Sequence, residues 1–172
     1  MTVDLSKPMR GKVWKFGDSV DTDVIAPSQR ASTLEEVKKI TMEAYRPEFA
    51  KEVKPGDIIV AGGNFGCGSQ RPWATGVLQA VGIQAVVAES VGRLFFRVGI
   101  SIGLPIFTAP GVSGLVEDGE VIEIDAVGGT VRNPRNGKSI PLDKYPPSIE
   151  SILRAGGITP LVVQRLKAEG RA

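Results

Sequence analysis

Histidine is absent from these 172 residues, and cysteine occurs once, at Cys67. The first absence removes the usual proton shuttle of neutral-pH enzymes and their commonest metal ligand. The second excludes an internal disulfide, and it excludes a zinc or iron–sulfur site built by this chain alone. Any metal in the chemistry has to come from another molecule. No apolar run reaches the roughly 18 residues that a membrane-spanning helix needs. Residues 1–7 have no apolar core of the secretory kind, and a lone free thiol fits a reducing compartment, so a cytoplasmic location is expected. Blocks of like charge are also missing. The 21 basic and 19 acidic residues leave a net charge of +2, and no basic stripe points to nucleic acid. Without repeats, low-complexity tracts or a linker, residues 1–172 read as a single domain with a real core.

Glycine is what the chain has, and it is concentrated. Gly62, Gly63, Gly66 and Gly68 fall within seven positions of the run Gly62-Gly63-Asn64-Phe65-Gly66-Cys67-Gly68-Ser69-Gln70-Arg71-Pro72-Trp73-Ala74. The preceding Asp57-Ile58-Ile59-Val60-Ala61 reads as a buried strand. Pro72 suits the first position of a helix running to Val81, and Gly82 suits its end. Ser69, Gln70 and Arg71 then lie on the last loop residues before a helix N-terminus. Unpaired N–H groups and a partial positive charge favour an anion there. Arg71 can add a bidentate clamp, and Ser69 adds a hydroxyl. The loop has neither a full Gly-x-Gly-x-x-Gly pattern nor a P-loop ending. By pattern alone, a tight structural turn and an anion site are evenly matched. Cys67 reads as a small packed residue, because no histidine stands ready to activate it.

The remaining chain reads as follows. Met9 to Phe16 alternates polar and apolar as a half-buried strand does. Gly17 to Asp23 is expected to be a loop with three acids. Thr33 and Glu36 have capping-box spacing, which predicts a helix from Leu34 to about Tyr45, stopped by Pro47. Strands are expected over 83–88 and 104–107 with a helix over 91–100 between them. Phe95 and Phe96 read as core, and Arg93 with Arg97 as a surface pair or as salt-bridge partners. This order predicts parallel pairing. After Pro110 the pattern changes to a hairpin, Glu120 to Asp125 and Thr130 to Arg132 about Gly128-Gly129. Asn136-Gly137 marks a further turn before Ser139-Ile140-Pro141-Leu142, and helices over 149–155 and 161–168 complete an α/β domain with an antiparallel extension.

The landmarks, taken in order, resemble the small subunit of 3-isopropylmalate dehydratase, which is similar to the mobile C-terminal domain of aconitase. They are Gly11-Lys12-Val13, Asp21-Thr22-Asp23-Val24-Ile25-Ala26-Pro27, Gly63-Asn64-Phe65-Gly66-Cys67-Gly68-Ser69, Ile100-Ser101-Ile102-Gly103-Leu104-Pro105 and Ile152-Leu153-Arg154-Ala155-Gly156-Gly157. The resemblance covers about Met9 to Leu166. It implies an α/β fold of the swivelling β/β/α type, as in the aconitase C-terminal domain. It also implies a hydro-lyase subunit that works only with a large subunit, as a heterodimer or heterotetramer. The [4Fe-4S] cluster and the histidines would sit on that partner, and a homo-oligomer is an option for the isolated chain. The substrate would be a small hydroxy carboxylic acid, first 3-isopropylmalate of leucine biosynthesis.

By motif position the resemblance implies that Ser69 removes the proton α to a carboxylate and Asp23 pairs with a histidine across the interface. Arg71 would bind a substrate carboxylate, with Gln70, Gly68 and Arg30 also lining the substrate. Four places depart from the family pattern. Gln70 replaces a second serine, and Pro72-Trp73 replaces a polar pair. Arg30-Ala31 stands near a usual Tyr-Leu, and Glu89 opens a run that usually begins with lysine. Related hydratases of dimethylmaleate, citraconate (2-methylmalate) or homoaconitate are therefore alternatives. A stand-alone anion- or nucleotide-binding module is a further one.

Overall fold

The computed structural model describes residues 3–68 and 72–171. A seven-stranded sheet has the order β4-β3-β2-β1-β5-β6-β7. Strand β1 (Met9–Phe16) is its hinge. The first half, Met9–Lys12, pairs antiparallel with β5 (Val121–Asp125), and the second half, Val13–Phe16, pairs parallel with β2 (Ile58–Ala61). Strands β3 (Ala85–Ala88) and β4 (Ile106–Thr108) continue the parallel side. Strands β6 (Thr130–Arg132) and β7 (Ser139–Pro141) continue the antiparallel side. The expected parallel core with an antiparallel extension is thus one sheet whose two halves share β1.

The side-chain period of two divides the core between the sheet's faces. Val13, Ile58, Val60, Val87 and Phe107 pack on one face with Ile122, Ile124 and Val131 of the hairpin. Trp14, Phe16, Ile59, Val86 and Ile106 pack on the other. Strands β2 and β3 are buried at every position, which is why they read as continuous apolar runs rather than alternating ones. Helices α4 (Pro72–Ala80) and α5 (Arg93–Ser101) are the crossovers, β2-α4-β3-α5-β4. Helices α6 (Pro147–Ala155) and α7 (Ile158–Ala168) follow β7. Gly82, after α4, takes φ +95 as a helix-ending glycine does.

Three expectations need correction. The Asp21-Thr22-Asp23 segment is not loop throughout but opens a short helix, α1 (Thr22–Ile25), with the Asp21 carboxylate accepting from the Asp23 N–H at 2.7 Å. Helix α2 (Leu34–Ile40) starts with the expected capping box but stops five residues before Tyr45. The Thr41 hydroxyl donates to Ile25 O at 2.7 Å and the Met42 N–H to Val24 O at 3.2 Å. Residues 41 and 42 thus satisfy the end of α1 instead of prolonging α2, and Met42 adopts φ +59. Helix α3 (Phe49–Glu52) lies where none was expected. It drives Phe49 against Trp14 and Phe16 at ring separations of 4.9 and 5.8 Å.

The segment after β7 crosses to the other edge of the sheet. The Leu142 N–H donates to Gly129 O, and the Asp143 N–H donates to Thr108 O on β4. The buried Tyr145 hydroxyl accepts from the Ile106 N–H at 2.8 Å and donates to Ile106 O at 2.6 Å. Its ring stacks on Phe107 at 4.7 Å. Burial pushes the Tyr145 phenol well above its ordinary pKa, which keeps it neutral and able to donate. One side chain therefore supplies the donor and the acceptor that a neighbouring strand would give the β4 edge. Tyr145→Phe should cost about 1–3 kcal/mol, because both Ile106 groups are left buried and unpaired. Urea unfolding of the isolated chain measures this, and a loss under about 0.5 kcal/mol would mean that water replaces the hydroxyl.

Candidate active site

The glycine loop leaves β2 at the carboxyl end of the parallel strands, where open α/β sheets bind ligands. Its backbone is held from both sides. Toward the chain after β1, the Gly63 N–H donates to Asp18 Oδ1 at 2.6 Å. The Ser19 N–H donates to Gly63 O at 2.8 Å, and the Gly66 N–H to Val20 O at 2.8 Å. The Thr22 N–H closes this side on Cys67 O at 2.9 Å. Toward the chain after β3, the Asn64 N–H donates to Ser90 Oγ at 2.8 Å. The Phe65 N–H donates to Ser90 O at 3.0 Å, and the Gly92 N–H returns a bond to Phe65 O at 2.8 Å. Two isolated parallel bridges result, Asp21 with Cys67 and Phe65 with Val91.

Two glycines are required by this geometry. Gly66 has φ +72, and a Cβ there would collide with the Phe95 ring. Gly68 has φ +91, and its Cβ would lie 2.5 Å from Asp21 Oδ2. A side chain at Gly68 would thus compete with the carboxylate that caps α1. Asp21 is a positioning residue that the sequence reading missed, although Asp is a preferred N-cap and the spacing offered that clue.

The expected site residues divide as follows. Gly68 ends the described part of the loop, beside Asp21. Asp23 is exposed in the first turn of α1, one residue beyond Thr22, whose N–H holds Cys67. The structure therefore brings Asp23 and the glycine loop together through adjoining backbone bonds. Ser69, Gln70 and Arg71 lie outside the described residues. Helix α4 begins at Pro72, as the sequence predicts. Arg30 lies apart from the loop's bonding frame, on the exposed turn after α1, and pairs with Glu43 at 3.0 Å. Both partners are well exposed, so this tether is weak and a competing carboxylate can exchange with it. Among the described residues no cluster of three or more His, Cys, Asp or Glu side chains could hold a metal ion.

Glu89, which departs from the family pattern, has a structural role. Its carboxylate accepts from the Gly111 N–H at 2.6 Å, the Ser113 N–H at 2.9 Å and the Ser113 hydroxyl. Burial opposes its ionisation, but these three donors outweigh burial and hold its pKa below the ordinary glutamate value. Glu89 thereby anchors the chain after β4 to the segment that carries Ser90.

A family model described as the aconitase C-terminal domain matches residues 16–107, a span that contains α1, the loop and both of its supports. The chain belongs to the aconitase C-terminal domain family. Within that family, a 3-isopropylmalate dehydratase small subunit from Aquifex aeolicus is 44% identical over 163 residues, covering 93% of this chain and 97% of the relative. An isopropylmalate/citramalate isomerase small subunit from Methanocaldococcus jannaschii is 41% identical, covering 92% and 95% respectively. The crystal structure of a 3-isopropylmalate dehydratase from the same organism superposes with a TM-score of 0.88 at 35% identity, over 96% of this chain and 99% of that one. Full-length coverage in both directions makes this chain similar to whole small subunits of the aconitase family. Its fold is that of the family's swivelling domain.

The lowered Glu89 pKa sets a pH dependence. A depressed folded-state pKa contributes stability that is fully present above the unfolded value and is lost as pH falls through the folded one. The stability gap between the native chain and Glu89→Gln should therefore be widest above the ordinary glutamate range and close on acidification below it. Urea midpoints of both proteins across that range measure the gap, and a gap independent of pH would contradict the role given to the charge.

Proposed function

We propose that this chain is the small subunit of an iron–sulfur hydro-lyase that isomerises 3-isopropylmalate and 2-isopropylmalate. The observation that carries the reading is the glycine loop bonded at Cys67 to the helix that bears Asp23, in a chain 44% identical over nearly its full length to a 3-isopropylmalate dehydratase small subunit. With one cysteine and no histidine, the chain's own residues do not fit a cluster site. The reading assigns the [4Fe-4S] cluster to a large subunit, where it would polarise the substrate hydroxyl.

The chain's own part is proton removal and carboxylate binding. Ser69 takes the proton α to a carboxylate. A serine alkoxide needs fixed positive potential, and the α4 N-terminus and Arg71 supply it. Arg71 also holds a substrate carboxylate through its planar fork. Gly68 lets the backbone approach the substrate, and the Gln70 amide donates to it. Asp23 orients a histidine of the large subunit by fixing its tautomer.

A second substrate reading rests on Arg30, Ala31 and Gln70. A cation beside a small residue, in an exposed ion pair with Glu43 that a substrate carboxylate can replace, favours a compact or more polar arm over isopropyl. Citramalate belongs to this class, and a relative's name includes it. A stand-alone anion-binding module predicts instead tight ligand binding without a partner.

Mixing the purified chain with its cluster-loaded large subunit, without oxygen, should give turnover that neither protein shows alone. Ser69→Ala should lower kcat roughly a hundredfold or more while the subunits still associate. In the assembled enzyme, kcat/KM for isopropylmalate, citramalate, dimethylmalate and homocitrate identifies the substrate. Arg30→Tyr with Ala31→Leu should shift preference toward isopropylmalate. Turnover by the iron-free chain alone would refute the subunit reading, and near-normal kcat in Ser69→Ala would refute the base.

A further inference from the structure

Helix α5 carries charge in the wrong places for an isolated subunit. Arg93 is its first residue, and there is no acid in the first turn and no side-chain cap at Gly92. A cation at a helix N-terminus opposes the dipole. Arg97 follows at i+4, where like charges repel. Both side chains are exposed, and among the described residues neither takes part in an ion pair. Among the described residues nothing offsets either placement.

The two arginines lie on a cleft of about 430 Å³, completed by Val91, Phe96, Thr108 and Ile149. Its surface is thus apolar with two guanidinium groups. Leu94, between the arginines in sequence, is 55% exposed. Val91 forms the bridge with Phe65, so one wall of the cleft is continuous with the glycine loop.

We infer that this cleft docks a segment of the large subunit that presents a carboxylate beside an aliphatic or aromatic side chain. The inference rests on the subunit reading above. Charge complementarity selects the occupant: a carboxylate from outside the chain relieves both the repulsion and the dipole mismatch. At about 430 Å³ the cleft is larger than a small hydroxy acid fills, so a protein segment fits better than free substrate. Arginine and exposed aliphatics in this mixture are common at interface centres. Through Val91 and Phe65, the docked segment would brace the loop that leads into Ser69.

The test is titration calorimetry of the cluster-loaded large subunit with the intact chain and with the double variant Arg93→Glu, Arg97→Glu. The native pair should bind, and its affinity should fall as salt rises. The double variant should bind roughly tenfold or more weakly. The variant's melting temperature alone should equal or exceed the native one, because acids now sit at the helix N-terminus. Arg93→Gln with Arg97→Gln supplies the same comparison without reversed charge and should give an intermediate loss. Equal affinities for all three proteins would overturn this inference while leaving the subunit reading intact. Unchanged affinity with a raised KM would place the substrate in the cleft, and would also overturn it. Failure of the native chain to bind would overturn the subunit reading and this inference together.

Discussion

The structure depends on the backbone bonds that hold Phe65, Gly66 and Cys67 between two neighbouring segments. Phe65 is bonded to Ser90 and Gly92, Gly66 to Val20, and Cys67 to Thr22. These bonds form only because β1, β2 and β3 are parallel and in register, so that their carboxyl ends emerge side by side. Elsewhere a loop of this composition would be free to move, since each glycine widens the accessible backbone states. Here the same glycines are pinned, and two of them occupy space where no side chain fits. The loop through Gly68 is therefore positioned by the sheet, and a loop ordered in advance lowers the cost of binding.

This rigidity suits a chain that cannot complete its own chemistry. Without histidine or a cysteine cluster, it contributes geometry and a field, and a partner supplies the rest under the proposed function. Asp23, Arg30, Leu94 and both α5 arginines are exposed, while the residues that carry the sheet beneath them are buried. The antiparallel side of the sheet has a supporting task. By returning through Tyr145 to β4, it closes the edge next to α5, and β4 cannot slip past Tyr145 without breaking both Ile106 bonds.

Much of this was legible from residues close together in sequence. The alternation of Met9–Phe16, the apolar blocks of β2 and β3, the Thr33–Glu36 capping box and the Gly128-Gly129 hairpin are local signals, and each appears where the pattern puts it. Family resemblance marks the glycine loop and the Asp-Thr-Asp segment as site elements, and the structure joins them through the Thr22–Cys67 bond. What was hidden depends on distant partners. Helix α2 stops at Ile40 because Thr41 and Met42 bond to α1, a preference that no local propensity records. Asp21 reads only as one acid of a loop, because its carboxylate meets Gly68 in the fold and not in the sequence. Glu89 read only as a departure from a lysine, since its donors at Gly111 and Ser113 lie more than 20 residues away in sequence. Tyr145 gave no signal at all, for its role exists only once β4 has become an edge.

The isolated chain already holds the glycine loop, as far as Gly68, between its two neighbouring segments. Amide hydrogen exchange tests this most directly, read at Phe65, Gly66, Thr22 and Gly92 in the free chain and again after addition of the large subunit. The account predicts slow exchange at all four in the free chain, close to that of the central strands, with little change on association. Fast exchange in the free chain, slowed only when the large subunit is added, would contradict it and make the partner the builder of the loop.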